Sequence, residues 1–403
     1  VSNVNGTINF GGDIGSAAND FSQVVISAGA TGIVNLAGAN VITTGSSGQS
    51  FTAGSTNYTS NLTLDAGSGS IGFVGGLNSS NSKNLSLTNT GTLSFNGAVG
   101  TVGALGDIRI TAASNGLTAT GIIAKSLETG AGFALIGPIS ITGNQTYSNN
   151  LKLETSGTSN MAMTSVIATN GGINLKTAQG PISVGALTTL NAGAGTITLS
   201  HGATLTLLGN ILSGKSITAT ATPSTHIIVG SGGASPVTST VGSGNFSIGL
   251  TNVTQLLLNN DLQVTTSGVG ADVTFGSVID SAPSAAKGIA INTTGDIIFG
   301  GNIGQANLAR LGAISLSNNA LSLTATNVNI KAGSFTTGAS TAVKGAIDLS
   351  GTIDLNAAAG LTLKTDTTGS LTAVGSITGG GGYSVGMDVT IASATSVTNA
   401  TAV

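Results

Sequence analysis

The sequence predicts an all-β chain, wound as a single long parallel β-helix, or β-solenoid, with about 22–25 residues per coil. Three observations predict it. Triplets of two apolar residues around one small or polar residue recur at that period. Thr, Val and Ile, which suit a pleated sheet, are abundant, whereas Glu, Lys, Arg, Gln and Met are scarce. Gly, Asn, Ser and Asp fill the intervals between triplets and supply turns.

The triplets carry the prediction. Leu62-Thr63-Leu64, Leu85-Ser86-Leu87 and Ile108-Arg109-Ile110 follow one another at equal spacing. A second series, Ile71-Gly72-Phe73, Leu93-Ser94-Phe95 and Leu117-Thr118-Ala119, runs between them at nearly the same spacing. Leu151-Lys152-Leu153, Ile173-Asn174-Leu175 and Ile197-Thr198-Leu199 continue the pattern. Ile289-Ala290-Ile291, Ile297-Ile298-Phe299, Leu321-Ser322-Leu323, Ile353-Asp354-Leu355 and Leu361-Thr362-Leu363 extend it towards the end. Alternation sends the two apolar side chains to one face of a strand and the middle one to the other. Two interleaved series at one period mean several short strands per coil. One coil cannot bury its apolar face alone, but stacked coils share a core.

Residues 1–403 read as one continuous solenoid, with irregular loops near 223–245, 280–288 and 379–386. The first follows from spacing: the interval from Ile217-Thr218-Ala219 to Phe246-Ser247-Ile248 is longer than the ordinary period. Pro283 marks the second, and the Gly379 to Gly382 run marks the third as a wide turn.

Composition narrows the function classes. Only 6% of residues are charged, against roughly 25% in an average soluble domain. Side chains at one position in successive coils stand about 4.8 Å apart, so like charges would stack and repel, whereas Thr, Ser and Asn stack and hydrogen-bond. Eleven scattered basic residues do not make the positive face that nucleic acid requires. Apolar runs such as Leu256-Leu257-Leu258 end far short of the roughly 18 residues of a transmembrane helix. The absence of Cys excludes disulfides and thiolate metal sites. The chain opens at Val1 without a signal-peptide pattern and reads as a processed or excised segment.

Gly106-Asp107-Ile108, Gly295-Asp296-Ile297 and Gly12-Asp13-Ile14 share a tripeptide, and the first two open strands in the same way. Gly143-Asn144-Gln145-Thr146-Tyr147 precedes another strand, and the passage from Leu62 to Thr111 repeats its phrasing. In style and period nearly the whole chain resembles the large bacterial exoproteins of the filamentous haemagglutinin type and, more loosely, the passenger domains of autotransporter adhesins. The resemblance implies a right-handed parallel β-helix, a hand that parallel crossovers favour in general. It also implies export across the outer membrane, a secreted or bacterial cell-surface location, and attachment to host, surface or neighbouring-cell receptors. Neither the secretion domain nor the outer-membrane barrel of those families is found. The chain is thus expected to be a middle section, or a different protein sharing the architecture.

No catalytic residue, cofactor-binding residue or metal ligand is assigned. His201 and His226, the only histidines, lie close to one coil apart and could stack as neighbours, but no Asp or Glu sits at a matching offset, and loop surface is the expected setting. Asp348 and Asp354 are the best local carboxylate pair for glycoside hydrolysis. With no Trp and 3 Tyr the chain lacks the aromatic platforms usual in a sugar cleft, so both read as solvated turn or strand-face aspartates. Gly379 to Asp388 lacks the spacing of the calcium-binding nonapeptide. The sequons at Asn61, Asn84, Asn144 and Asn292 are expected by chance in this composition. Thr118-Ala119-Thr120, Thr218-Ala219-Thr220 and Thr324-Ala325-Thr326 lie several coils apart, too far for the consecutive-coil ladder of an ice-binding face.

The expected function is therefore non-catalytic: an adhesin or adhesin shaft presenting a long rod-like surface. The alternative is a self-assembling subunit of an extracellular filament or surface layer, with copies meeting end to end or side by side. Unpaired strand edges would serve that alternative, since neither Val1 to Phe10 nor Ser393 to Val403 resembles a cap.

Overall fold

A computed structural model describes residues 1–355, apart from 4, 17, 19–20, 113, 190–194, 223–224, 284–285, 306–309, 318–319 and 338–342, together with 361–364, 371–374, 377–379 and 390–392. The described residues contain 39 strands and no helix, and every ladder between the strands is parallel. The chain divides into two compact units, Val1–Leu190 and Asn191–Val403, each a parallel β-solenoid.

In the first unit each coil has three sheet-forming segments. Leu62–Gly67, Ile71–Phe73 and Gly76–Ser79 make one such coil. Leu85–Asn89 and Leu93–Phe95 stack on the first two, and Val99 bridges to Leu77 on the third face. The register of the predicted series is the observed one: Leu62 pairs with Leu85 and Leu85 with Ile108, while Ile71 pairs with Leu93 and Leu93 with Leu117. The outer residues of these triplets are buried and the middle ones are not. The second unit repeats the three-sided plan, for example in Ile217–Ala221, Thr225–Val229 and Val237–Val241.

The core is a stack of like residues. Phe51, Phe73 and Phe95 overlie one another with ring centroids 4.7 and 5.6 Å apart and interplanar angles of 8° and 7°. In the second unit Phe275 and Phe299 stand in register and stack at 11°. Phe246 aligns with Val273 instead, the other inward residue of the strand that carries Phe275, and its ring meets Phe275 tilted by 58°.

Two devices turn the corners. Glycine permits close passage: a Cβ at Gly75 would lie 1.6 Å from the Ala53 carbonyl oxygen, and one at Gly97 would lie 2.3 Å from the Gly75 carbonyl carbon. The other device is an Asn or Asp whose side-chain oxygen accepts a backbone N–H of the next coil. Asn61 accepts from Asn84 at 3.0 Å, and Asn84 accepts from Asp107 at 2.9 Å. Asn245 accepts from Asp272, and Asp272 from Asp296, each at 2.9 Å. This explains the shared Gly-Asp-Ile tripeptide, since its aspartates lie in such columns. Asp13 accepts from Ala39 and Asn40, and the Asn40 amide and those N–H groups hold its carboxyl below the ordinary carboxylate range.

Coil length varies more widely than the sequence period. Asp107 meets Ser126 across a short coil, with a sequence separation of 19. Gly214 meets Ser243 across a long one, with a separation of 29, and Ile217 pairs with Phe246 in the same coil. Within residues 223–245, two regular strands flank the loop Gly230–Pro236. Asn260 anchors that loop, accepting from Gly232 N–H at 2.8 Å and donating to the Gly233 and Ser235 carbonyls at 2.9 and 2.7 Å. Of residues 280–288, Asp280 and Ser281 end the strand Val278–Ser281. Residues 380–386 of the third expected loop lie outside the described residues. One inward assignment is corrected. Leu321 is 51% exposed, because the strand starts at Ser322 and leaves Leu321 in the corner, donating its N–H to the Gly295 carbonyl.

Candidate functional site

On one face of the first unit the outward residues of five consecutive strands, Ser86, Arg109, Glu128, Lys152 and Asn174, stand in register. Further along the same strands, Glu154 and Lys176 are also in register and form a 2.7 Å ion pair. At the upstream edge Lys125 approaches Asp107 at 3.3 Å, and the Ser126 hydroxyl donates to the same carboxylate at 2.9 Å. Residues 107–176 thus hold Asp107, Arg109, Lys125, Glu128, Lys152, Glu154 and Lys176, including both glutamates of the chain.

Signs alternate along these columns: Arg109 against Glu128, Glu128 against Lys152, and Glu154 against Lys176. In the second unit Lys331 aligns with Asp354, which also takes a 2.7 Å contact from Arg310. Exposed ion pairs stabilise by about 1 kcal/mol at most. Their value here is that a strand spacing of about 4.8 Å is tolerated without repulsion. Glu128→Lys would set three cations in one column. It is expected to lower stability by about 0.5–1 kcal/mol at low salt, with part of the loss recovered at high salt. Denaturant midpoints at the two salt levels measure this.

Asp107, Ile108, Arg109, Lys125, Ser126, Glu128 and Asn149 line an open depression of about 330 Å³ on this face. The side chains of Arg109 and Glu128 have no hydrogen-bond or ion-pair partner among the described residues. The triplet reading placed Arg109 outward but did not single out this group. Its available signal was that both glutamates of the chain fall here beside Arg109 and three lysines, whereas the side-chain carboxylates elsewhere are all aspartates.

The residues weighed from the sequence are placed differently. His201 and His226 do not stack. The coil after His201 is short, so His201 aligns with Ala221, whereas His226 is an exposed strand residue aligned with Gln255. His201 is not on a loop surface either. It is fully buried, its Nδ1 lies 2.6 Å from the Ala203 carbonyl and must carry the proton, and its Nε2 has no partner among the described residues. Burial pushes its pKa below the ordinary 6.5. The unfolded chain therefore takes up a proton at a pH where the folded chain does not. The stabilisation is full above about pH 6.5 and is lost as pH falls towards the folded pKa. Melting temperature is expected to drop between pH 7 and 5, and His201→Asn is expected to flatten that slope.

Asp348 and Asp354 lie on separate strands, Ile347–Leu349 and Ile353–Leu355, and engage different partners. Asp348 accepts from the Thr326 hydroxyl at 2.8 Å, and Asp354 faces Arg310. Thr118 aligns with Ser94 and Ser140. Asn61 and Asn84 are corner acceptors. Residues 380–388 of the Gly-rich stretch lie outside the described residues. Among the described residues no three His, Cys, Asp or Glu side chains converge on a metal position, and no helix is long and apolar enough to cross a membrane.

Comparison with protein-family models, with curated proteins and with solved structures finds no match to this chain.

Proposed function

We propose that this chain is a non-catalytic adhesin, or the shaft of one, acting at a bacterial cell surface or outside the cell. The carrying observation is the in-register stacking of short outward side chains. Thr63 pairs with Ser86, Ser94 with Thr118, and Thr118 with Ser140. Such columns repeat hydrogen-bonding groups at the strand spacing, and many weak contacts of this kind add up to avidity. The low charge and the resemblance to exported exoproteins support the same reading.

The test is adhesion itself. Beads coated with the purified chain should adhere to host-cell or abiotic surfaces more than beads coated with an unrelated β-rich protein. Equal adhesion would remove the reading. Self-assembly is the second reading. It rests on the parallel plan, in which a coil edge not covered by another coil offers unpaired N–H and C=O groups to a second chain. The denatured mass of the native polypeptide separates the two. A mass far above 38.7 kDa favours a shaft within a longer chain, and a mass near 38.7 kDa favours assembly of separate subunits.

A further inference from the structure

We propose that the depression over Arg109 and Glu128 binds a neutral oligosaccharide, with Phe133 as the platform for a sugar ring at its downstream end. The inference rests on the adhesive reading and names the chemistry of one contact.

Charge comes first. Asp107, Arg109, Lys125 and Glu128 line the depression and sum to zero. A polyanion would meet two carboxylates, and a polycation would meet two cations. A sugar hydroxyl donates and accepts at once, so it suits a guanidinium beside a carboxylate. Arg109 and Glu128 provide that arrangement on adjacent strands, and neither is engaged elsewhere among the described residues. Asn149 adds an amide that both donates and accepts.

The aromatic supplies the second half. Three of the six phenylalanines of the first unit form the buried ring stack, whereas Phe133 is 41% exposed. A Cβ at Gly130 would lie 3.2 Å from the Ile110 carbonyl oxygen, 3.3 Å from Phe133 Cδ2 and 3.8 Å from Arg109 Nε, so ring and guanidinium are neighbours. Gly130 itself is buried, so the ring edge and the guanidinium lie side by side over it. Gly130 donates its N–H to the Ile110 carbonyl and so lies beside the end of the strand Leu105–Ile110. From Asp107 to Ile110 is about 10 Å at roughly 3.3 Å per residue, which suits a short oligosaccharide lying along the strand. One open face with one ring gives weak binding, with a Kd on the order of 1 mM, which multivalent display would raise.

Saturation-transfer NMR with neutral gluco-, galacto- and manno-configured trisaccharides, and a sulfated disaccharide as comparator, tests the proposal. At least one neutral trisaccharide should show transfer. That transfer should fall by about ten-fold in Phe133→Ala, Arg109→Gln and Glu128→Gln, each with unchanged melting, and persist in Val102→Ala, whose side chain is exposed outside the depression. Transfer to no neutral sugar, transfer to the sulfated sugar alone, or equal transfer in all four variants would overturn it. Beads that still adhere when coated with Phe133→Ala and Arg109→Gln chains, neither of which binds sugar, would mean that adhesion lies elsewhere. Sugar binding without bead adhesion would sink the adhesive reading and leave the site.

Discussion

Leu87→Lys is expected to unfold the coils around it, at a cost of about 4 kcal/mol or more. Leu87 has no exposed surface and lies in register between Leu64 and Ile110. An ammonium there would find no carboxylate and could not reach water without opening the ladder. Each coil contacts only its neighbours, so damage should be local, with new protease cleavage in the corners near residue 87 while distant coils resist. The control is Thr63→Lys, an outward position flanked in register by Asn40 and Ser86, with an expected change within about 0.5 kcal/mol. Denaturant unfolding of both variants measures the contrast. Equal destabilisation would mean that the inward and outward faces have been assigned wrongly.

Phe73→Ala should have the next largest effect, about 3–5 kcal/mol. The loss has two parts. A buried ring is removed and leaves a cavity, and two stacking contacts, to Phe51 and to Phe95, disappear together. Each such contact contributes about 0.5–1.5 kcal/mol beyond area burial. Phe95→Ala removes one of these contacts, so Phe73→Ala should be the more damaging by about one stacking contribution. Urea midpoints for the two variants decide this, and a smaller loss at Phe73 would show that the rings act as independent fillers.

Much of the fold is legible in the sequence because its cause is local. Whether Leu85 and Leu87 point inward depends only on alternation along one strand. That rule places Ile108, Ile110, Ile289 and Ile291 correctly. It fails at Leu321, where the strand begins later than the triplet suggests. The long step from Ile217 to Phe246 is likewise readable, because both ends carry the same strand pattern. The candidate site was not readable in this way. Counted on at the spacing that separates Leu62 from Leu85, Arg109 would face position 132, whereas its neighbour across the ladder is Glu128.

The sequence by itself determined the all-β class, the repeat, the faces of most strands and the scarcity of charge, since these follow from composition and from near neighbours along the chain. Only the tertiary structure decided which residues of successive coils meet. Corners absorb between-strand residues without disturbing either strand, so separations across a coil drift from 19 to 29, and partners cannot be counted off at a fixed period. For that reason His201 and His226 part company, the charges of the first unit alternate along a column, and Phe133 comes beside Arg109 over Gly130.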